Sequence, residues 1–286
     1  MADAQAKIFK LLETADNFVK YARPGNRDRS LGRARKRYER AADLAGATGD
    51  TETLERVRLR LGDLDRLAKQ PDEPDAEPAE TAEPKPDYRG ITDHRPGDLA
   101  ARVPPGQRVT PRWPVLHEGA IPRFDPATWD LKIEGAVSNV VTLGYEELKA
   151  LGPVQMRADM HCVTGWSKLD NVWEGVPTKV LMELAQPEAG AAFVSVGAEY
   201  GYTANVPFEI LLEDASMVAW SHNGEPLAPK HGFPLRLVIP KLYAWKSVKW
   251  VRGFEVLDRD RRGFWELRGY HNTADPWQEQ RYSYQE

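Results

Sequence analysis

The sequence predicts an α+β protein: a domain of mixed β-sheet with long loops, preceded by a helical N-terminal segment. Three observations lead there. Apolar residues recur at helical spacing through the first 70 positions, and short alternating stretches dominate after about position 88. The tract between them is rich in proline and acid and almost free of apolar residues. With 286 residues and 41% hydrophobic content the chain can bury a sizeable core.

Taken in order, Ile8, Leu11, Leu12, Ala15 and Val19 form a first helical stripe that stops near Pro24-Gly25-Asn26. Leu31, Ala34, Tyr38, Ala41, Ala42 and Ala45 form a second, and Leu54, Val57, Leu61, Leu64 and Ala68 a third, so residues 1–69 read as a helical segment ending in a hairpin. Its outer faces carry Arg33, Arg35, Lys36, Arg37 and Arg40, then Arg56, Arg58, Arg60 and Arg66. A solvated basic face is the plain reading, and a docking surface is the alternative. Gln70 to Asp87 holds five prolines and seven acidic residues and reads as an extended linker, which leaves 88–286 as the main domain. There, Trp129 to Gly135 alternates like a half-buried strand, and Val140 and Val141 begin another. Thr142 to Leu151 reads as a short capped helix, Val176 to Leu184 as a helix, and 193–196, 235–239 and 249–256 as strands. There is no βαβ rhythm and no glycine-rich phosphate fingerprint, so a dinucleotide fold is excluded.

Global charge narrows the function. A net charge of -4 argues against a nucleic-acid partner, so any anion site must be built locally. One cysteine forms no internal disulfide, and the start lacks an apolar run for a signal peptide or membrane span, so a cytoplasmic protein without an integral membrane segment is expected. Six histidines show no H-x-x-H or H-E-x-x-H pairing, so a metal held here must take most of its ligands from something the protein binds.

Three stretches carry chemistry. In HCVTGW, 161–166, the only cysteine, Cys162, reads as core filler, nucleophile or metal ligand. In HGFPLRLVIPKLYAWKSVKW, 231–250, His231, Arg236, Lys241, Lys246 and Lys249 gather cationic groups, with the Ser247 hydroxyl among them, as a bound phosphate would require; a surface basic patch is the alternative. In PVLHEG, 114–119, His117 lies in a loop bounded by proline and glycine.

These stretches, with WEGVPTKVLMELA at 173–185, GYTANVPFEILLED at 201–214 and the ending RRGFWELRGYHNTADPW, closely resemble the molybdopterin-binding domain of the sulfite oxidase family. The likeness spans roughly 101–281 and is greatest to bacterial cytoplasmic sulfite oxidase-like oxidoreductases. It implies a sulfite-oxidase-like molybdopterin-binding fold, a cofactor of molybdenum and molybdopterin, and two-electron oxygen-atom transfer on a small substrate. Cys162 matches the thiolate that is the sole protein ligand to molybdenum, and His161 and Thr164 beside it are expected to help bind the cofactor. His117, His231 and Arg236 match residues that approach the pterin and its phosphate; Lys246, Ser247 and Lys249 match the loop that cradles the phosphate; Tyr270 matches an active-site tyrosine. Two departures stand out. Val163-Thr164-Gly165-Trp166-Ser167 replaces the family's Ala-Gly-Asn-Arg-Arg, and Val115 stands where an arginine is expected. Losing two cations points from sulfite toward an S-oxide or N-oxide substrate. No haem motif or spare cysteine is present, so electrons are expected to pass to or from a separate carrier, protein or diffusible. A non-catalytic molybdopterin carrier and a cysteine-nucleophile hydrolase are the alternatives.

Overall fold

The computed structural model describes residues 7, 8, 10–12, 14, 15, 18, 19, 27–69, 91–117 and 120–286. The chain forms two compact units, Met1–Glu83 and Pro84–Glu286. The tract read as a linker, 70–87, lies outside the described residues.

In the first unit α1 (Arg27–Thr48) and α2 (Thr51–Lys69) fold back on each other. Leu31, Ala34, Tyr38, Ala41 and Ala45, at spacings of three and four, bury one stripe of α1 against Val57 and Leu64. Asp50 caps α2 by accepting a hydrogen bond from the Thr53 N–H at 3.0 Å. Arg35 pairs with Asp65, an exposed bridge that contributes little to stability.

The second unit is built on two mixed sheets. In the first, β5 (Val154–Cys162), β6 (Trp166–Pro177) and β9 (Met217–His222) run antiparallel in that order. Short strands β1 (Thr92–Asp93) and β2 (Arg108–Val109) join in parallel, while β10 (Glu225–Pro226) and β11 (Arg236–Val238) pair with β9. The second sheet has the order β4-β3-β12-β7-β8, formed by Val141–Gly144, Asp130–Gly135, Val251–Leu257, Phe193–Ala198 and Thr203–Pro207. Its β3–β12 pairing is parallel and the rest antiparallel. The predicted α+β architecture with mixed sheet is what forms.

Local differences have local causes. Val141–Gly144 pairs with β3 as a strand, so the helix expected over 142–151 shrinks to α3 (Tyr145–Lys149). The Glu147 carboxylate accepts from the Gly144 N–H at 2.7 Å and fixes that start. Val176 and Pro177 stay in β6, and α4 (Thr178–Ala185) begins one residue later, where the Thr178 hydroxyl donates to the Leu211 and Ser216 carbonyls.

Two apolar clusters fill this unit. The larger joins Leu131, Ile133, Val194, Val196, Phe254 and Val256 of the second sheet to Val176, Val218 and Leu237 of the first. The smaller lies along β5, where Met156, Ala158, Met160 and Cys162, every second residue, face the same cluster as Trp113, Trp166, Trp173 and Tyr243. Asp159 and His161 therefore point to the other side. There, Arg102 grips Asp159 through two hydrogen bonds of 2.8 and 2.7 Å and also reaches Asp170.

Candidate active site

Cys162 ends β5 and faces Trp166, the first residue of β6, across a tight hairpin. The Gly165 N–H donates to the Cys162 carbonyl at 2.9 Å, and Gly165 has φ +86°, a left-handed conformation that glycine adopts without strain. That turn sets the thiol at the sheet's end, 7% exposed, with the Thr164 hydroxyl donating to Sγ at 3.2 Å. Gln107 donates to the Cys162 carbonyl at 3.1 Å. His161 is fully buried on the opposite face, hydrogen-bonded through Nδ1 to the Ser167 hydroxyl at 2.8 Å. It is not placed to take a proton from Cys162, so it cannot serve as the base of a cysteine hydrolase.

The cationic groups assemble from two further segments. His231 closes a short 3-10 turn, and Gly232 follows at φ +115°. A Cβ on Gly232 would come within 3.0 Å of the Arg236 Cβ and 3.2 Å of the Lys249 Cβ, so only glycine lets these segments meet. Arg236 opens β11 almost fully buried, donating through Nη1 to the His231 carbonyl at 2.9 Å and through Nη2 to the Ser247 carbonyl at 3.1 Å. Its guanidinium lies over Trp113 at 5.1 Å and Trp173 at 5.5 Å. The Ser247 hydroxyl accepts from the Ile239 N–H, which ties the two segments together.

The His117 loop docks here too. Trp113 stacks on His231 with ring centroids 3.9 Å apart, Lys249 Nζ donates to the Leu116 carbonyl at 3.0 Å and the Lys230 carbonyl at 2.8 Å, and His117 meets Trp250 edge to face at 5.3 Å. His117, His231, Arg236, Ser247 and Lys249 thus converge, with Cys162 in the same apolar cluster as Trp113. Lys246 does not join them. Its ammonium, fully buried, is held by Glu266 at 2.7 Å and by the Asn205 and Asn272 oxygens, so it has no proton left for a bound anion. Tyr270 packs among Trp245, Trp265 and Tyr282 at the edge of the Cys162 cluster.

The electrostatics are unusual. Arg236 has no carboxylate partner among the described residues, its Nε is buried without an acceptor, and burial pushes its pKa down to about 9. Lys249 is pushed down to about 7 by burial, with Arg236 adding repulsion and Cys162 opposing it. The Trp166 and Trp173 indole N–H groups nearby are also buried without acceptors. Buried cations and donors left uncompensated are costly, and an anion rich in acceptor oxygens is what would satisfy them. Among the described residues no three His, Cys, Asp or Glu side chains could hold a metal together. A metal here would take the soft Cys162 thiolate and draw its remaining ligands from a bound organic group. This donor set fits a phosphorylated, metal-carrying cofactor.

Three histidines in or behind the site are kept neutral by burial: His161 at about 4, His222 at about 3 and His231 at about 2. Folded values below the unfolded 6.5 mean the unfolded chain binds more protons, so stability is complete above that pH and falls as pH drops through it. Each contributes about 1.4 kcal/mol per pH unit once the unfolded form is protonated. The urea midpoint of the cofactor-free chain should be clearly lower near pH ~5.5 than near pH ~7.5.

Sequence reasoning missed Trp113, Trp173, His222 and Gln107, which wall this site. No spacing rule signals that Trp113 will stack on a histidine more than a hundred residues away.

A thiol at the end of a strand, close to buried cations without carboxylate partners, fits a protein that holds an anionic, metal-carrying cofactor. The sequence profile of the oxidoreductase molybdopterin binding domain matches residues 118–265, just over half the chain. YuiH, an uncharacterized oxidoreductase of Bacillus subtilis (strain 168), is 47% identical over 198 residues, 69% of this chain and 99% of that protein. The putative protein-methionine-sulfoxide reductase subunit YedZ1 of Azospira oryzae is 28% identical over 179 residues, 62% of this chain and 68% of that protein. The protein-methionine-sulfoxide reductase catalytic subunit MsrP of Gluconobacter oxydans is 29% identical over 160 residues, 50% of this chain and 51% of that protein. The sulfane dehydrogenase SoxCD of Paracoccus pantotrophus superposes with a TM-score of 0.47 at 22% identity, over 51% of this chain and 42% of that one. The chain belongs to the family of oxidoreductases with a molybdopterin-binding domain. Family membership implies a molybdenum–molybdopterin cofactor and redox chemistry. His117 and Tyr270 lie outside the matched segment. No helix among the described residues is long and apolar enough to cross a membrane.

Proposed function

We propose that this protein is a molybdenum-cofactor-dependent oxidoreductase that reduces S-oxides or N-oxides by oxygen-atom transfer. Residues 88–286 form the oxidoreductase domain, 70–87 the linker and 1–69 the helical segment. The observation that carries the reading is Arg236: a buried guanidinium with an unused Nε–H, beside Lys249 and in the same apolar surroundings as Cys162, is an anion site joined to a soft metal ligand.

Molybdenum held by molybdopterin, bound by Cys162, Arg236 and Lys249, would supply two-electron oxygen-atom-transfer chemistry. The residues of this chain do the rest. Cys162 presents the one protein thiolate, and the Thr164 hydroxyl donating to Sγ steadies its charge. Arg236 and Lys249 bind the cofactor's phosphate. His231, neutral and stacked on Trp113, and His117, against Trp250, line the pterin. Ser247 holds the loop in register through its hydroxyl, and Lys246 does so through Glu266. The Tyr270 hydroxyl donates to the substrate oxygen as it leaves. An S-oxide then departs as sulfide, two electrons and two protons having entered and one water formed. A separate carrier delivers the electrons.

The substrate class is supported by the missing cations at 115 and 167 and by the names of the relatives at 28% and 29% identity. Protein made with cofactor synthesis intact should contain close to one molybdenum and one pterin per chain by elemental analysis and fluorescence of the oxidised pterin. With a reduced dye as donor it should turn over methyl sulfoxides at least about 10-fold faster than it oxidises sulfite, a difference of about 1.4 kcal/mol in barrier. Sulfite turnover equal to or above that of sulfoxides would sink the substrate assignment; absence of both metal and pterin would sink the cofactor site.

A further inference from the structure

Cys162 is flanked by two residues that are both held from the far end of the chain. On one side, the Trp277 ring meets the His161 ring edge to face at 5.1 Å, while its indole N–H donates to the Ala101 carbonyl at 3.3 Å. On the other, Arg281 Nη1 donates to the Val163 carbonyl and its guanidinium lies 5.0 Å from the centre of the Tyr243 ring. The segment between them is a compact turn capped by Asp275, whose carboxylate accepts from the Trp277 N–H at 2.8 Å.

Arg281 is the more telling of the two. Its side chain is only 15% exposed, and its nearest carboxylate, Glu279, is 3.5 Å away and half exposed, so its charge is poorly neutralised. The adjoining loop makes room for it: a Cβ on Gly106 would come within 3.1 Å of Nη2, and Gly106 has φ +67°. Gln107, the next residue, grips the Cys162 carbonyl. The carbonyls of Cys162 itself and of the next residue, Val163, are therefore both fixed from outside the hairpin. The hairpin has no arginine of its own at 163–167, and the C-terminal strap brings one to it.

We propose that Arg281 is the positioning residue of Cys162: it locks the carbonyl of Val163, the next residue, and brings a positive charge to the hairpin that carries the thiol. This rests on the cofactor reading above. Groups that orient a metal's ligand and bring charge to it tune both geometry and electron density at the metal, without touching it.

The test uses the full chain loaded with cofactor, as wild type, Arg281→Lys and Arg281→Met. The readouts are metal and pterin content, the thermal midpoint, and the electron paramagnetic resonance spectrum of the half-reduced, Mo(V) metal. The expected result for Arg281→Met is a folded protein with pterin bound, a shifted or broadened metal spectrum, and molybdenum lost about 10-fold faster on dialysis, the usual scale for losing such a supporting contact. Arg281→Lys keeps the charge and loses the fork, so its spectrum should fall between the two. A loaded Arg281→Met with the wild-type spectrum and wild-type metal retention overturns the role of Arg281. Should Arg281→Met not fold, Arg281→Lys is decisive alone, and a spectrum unchanged from wild type overturns the proposal. A wild-type chain without molybdenum or pterin overturns instead the cofactor reading on which it rests.

Discussion

Cys162→Ser should lower turnover by at least about 1000-fold, a rise in barrier of about 4 kcal/mol, while leaving the fold intact. The substitution keeps the shape of a small, 7% exposed side chain, so its cost in stability should stay within about 1–2 kcal/mol. What changes is chemistry. A hydroxyl ionises far less readily than a thiol and is a harder donor, so it does not replace a soft thiolate on molybdenum. The proposed phosphate contacts sit on Arg236 and Lys249, held in place by the His231, Ser247, Leu116 and Lys230 carbonyls rather than by the cysteine. Pterin should therefore remain bound in Cys162→Ser at near wild-type stoichiometry, with the metal lost or its spectrum altered. Dye-coupled turnover, pterin fluorescence and a thermal melt on the same preparation check the three parts. Activity within about 10-fold of wild type would exclude Cys162 as the metal's ligand and return it to the apolar core.

How far the sequence discloses such a site depends on what spacing can encode. The strands at 130–135, 193–198 and 251–257 were legible because their apolar residues alternate, and the N-terminal helices because theirs repeat at three and four. The β5–β6 hairpin was harder. Its strands are buried on both faces, with Asp159, Ser167 and Asn171 buried among Met156, Ala158 and Trp173, so the alternation that marks a strand is blurred. Along β5 the alternation of faces did separate His161 from Cys162, as strand geometry requires. Arg236 and Lys249 stood out as charges beside turns and converge in the fold. Trp113, Gln107 and Arg281 reach the same place from loops distant in sequence, and no local pattern carries that information.

The pair Lys246 and Lys249 marks the limit most clearly. Both lie in the stretch KSVK, three residues apart, and by residue type they are equivalent candidates for a phosphate. In the fold Lys249 donates to two carbonyl oxygens and has no carboxylate partner among the described residues, whereas Lys246 is sealed against Glu266, both side chains fully buried. Four oxygens lie within 2.8 Å of the Lys246 ammonium, and Glu266 also accepts from the Trp245 indole at 2.8 Å. This knot ties the loop carrying Lys246 and Ser247 to β8 through Asn205 and to the C-terminal segment through Asn272. Lys246→Met should therefore cost about 3–5 kcal/mol, because it strands the Glu266 charge in an apolar interior. Adding Glu266→Gln, which can still accept from Trp245, should restore part of that loss, so the two costs will not add. Urea midpoints of the two single variants and the double variant measure the coupling, and pterin content of whatever folds measures the phosphate. If Lys246→Met kept its midpoint and lost its pterin, the ammonium would have to turn from Glu266 to the phosphate when the cofactor binds, and the buried ion pair would be a resting arrangement rather than the scaffold of the loop.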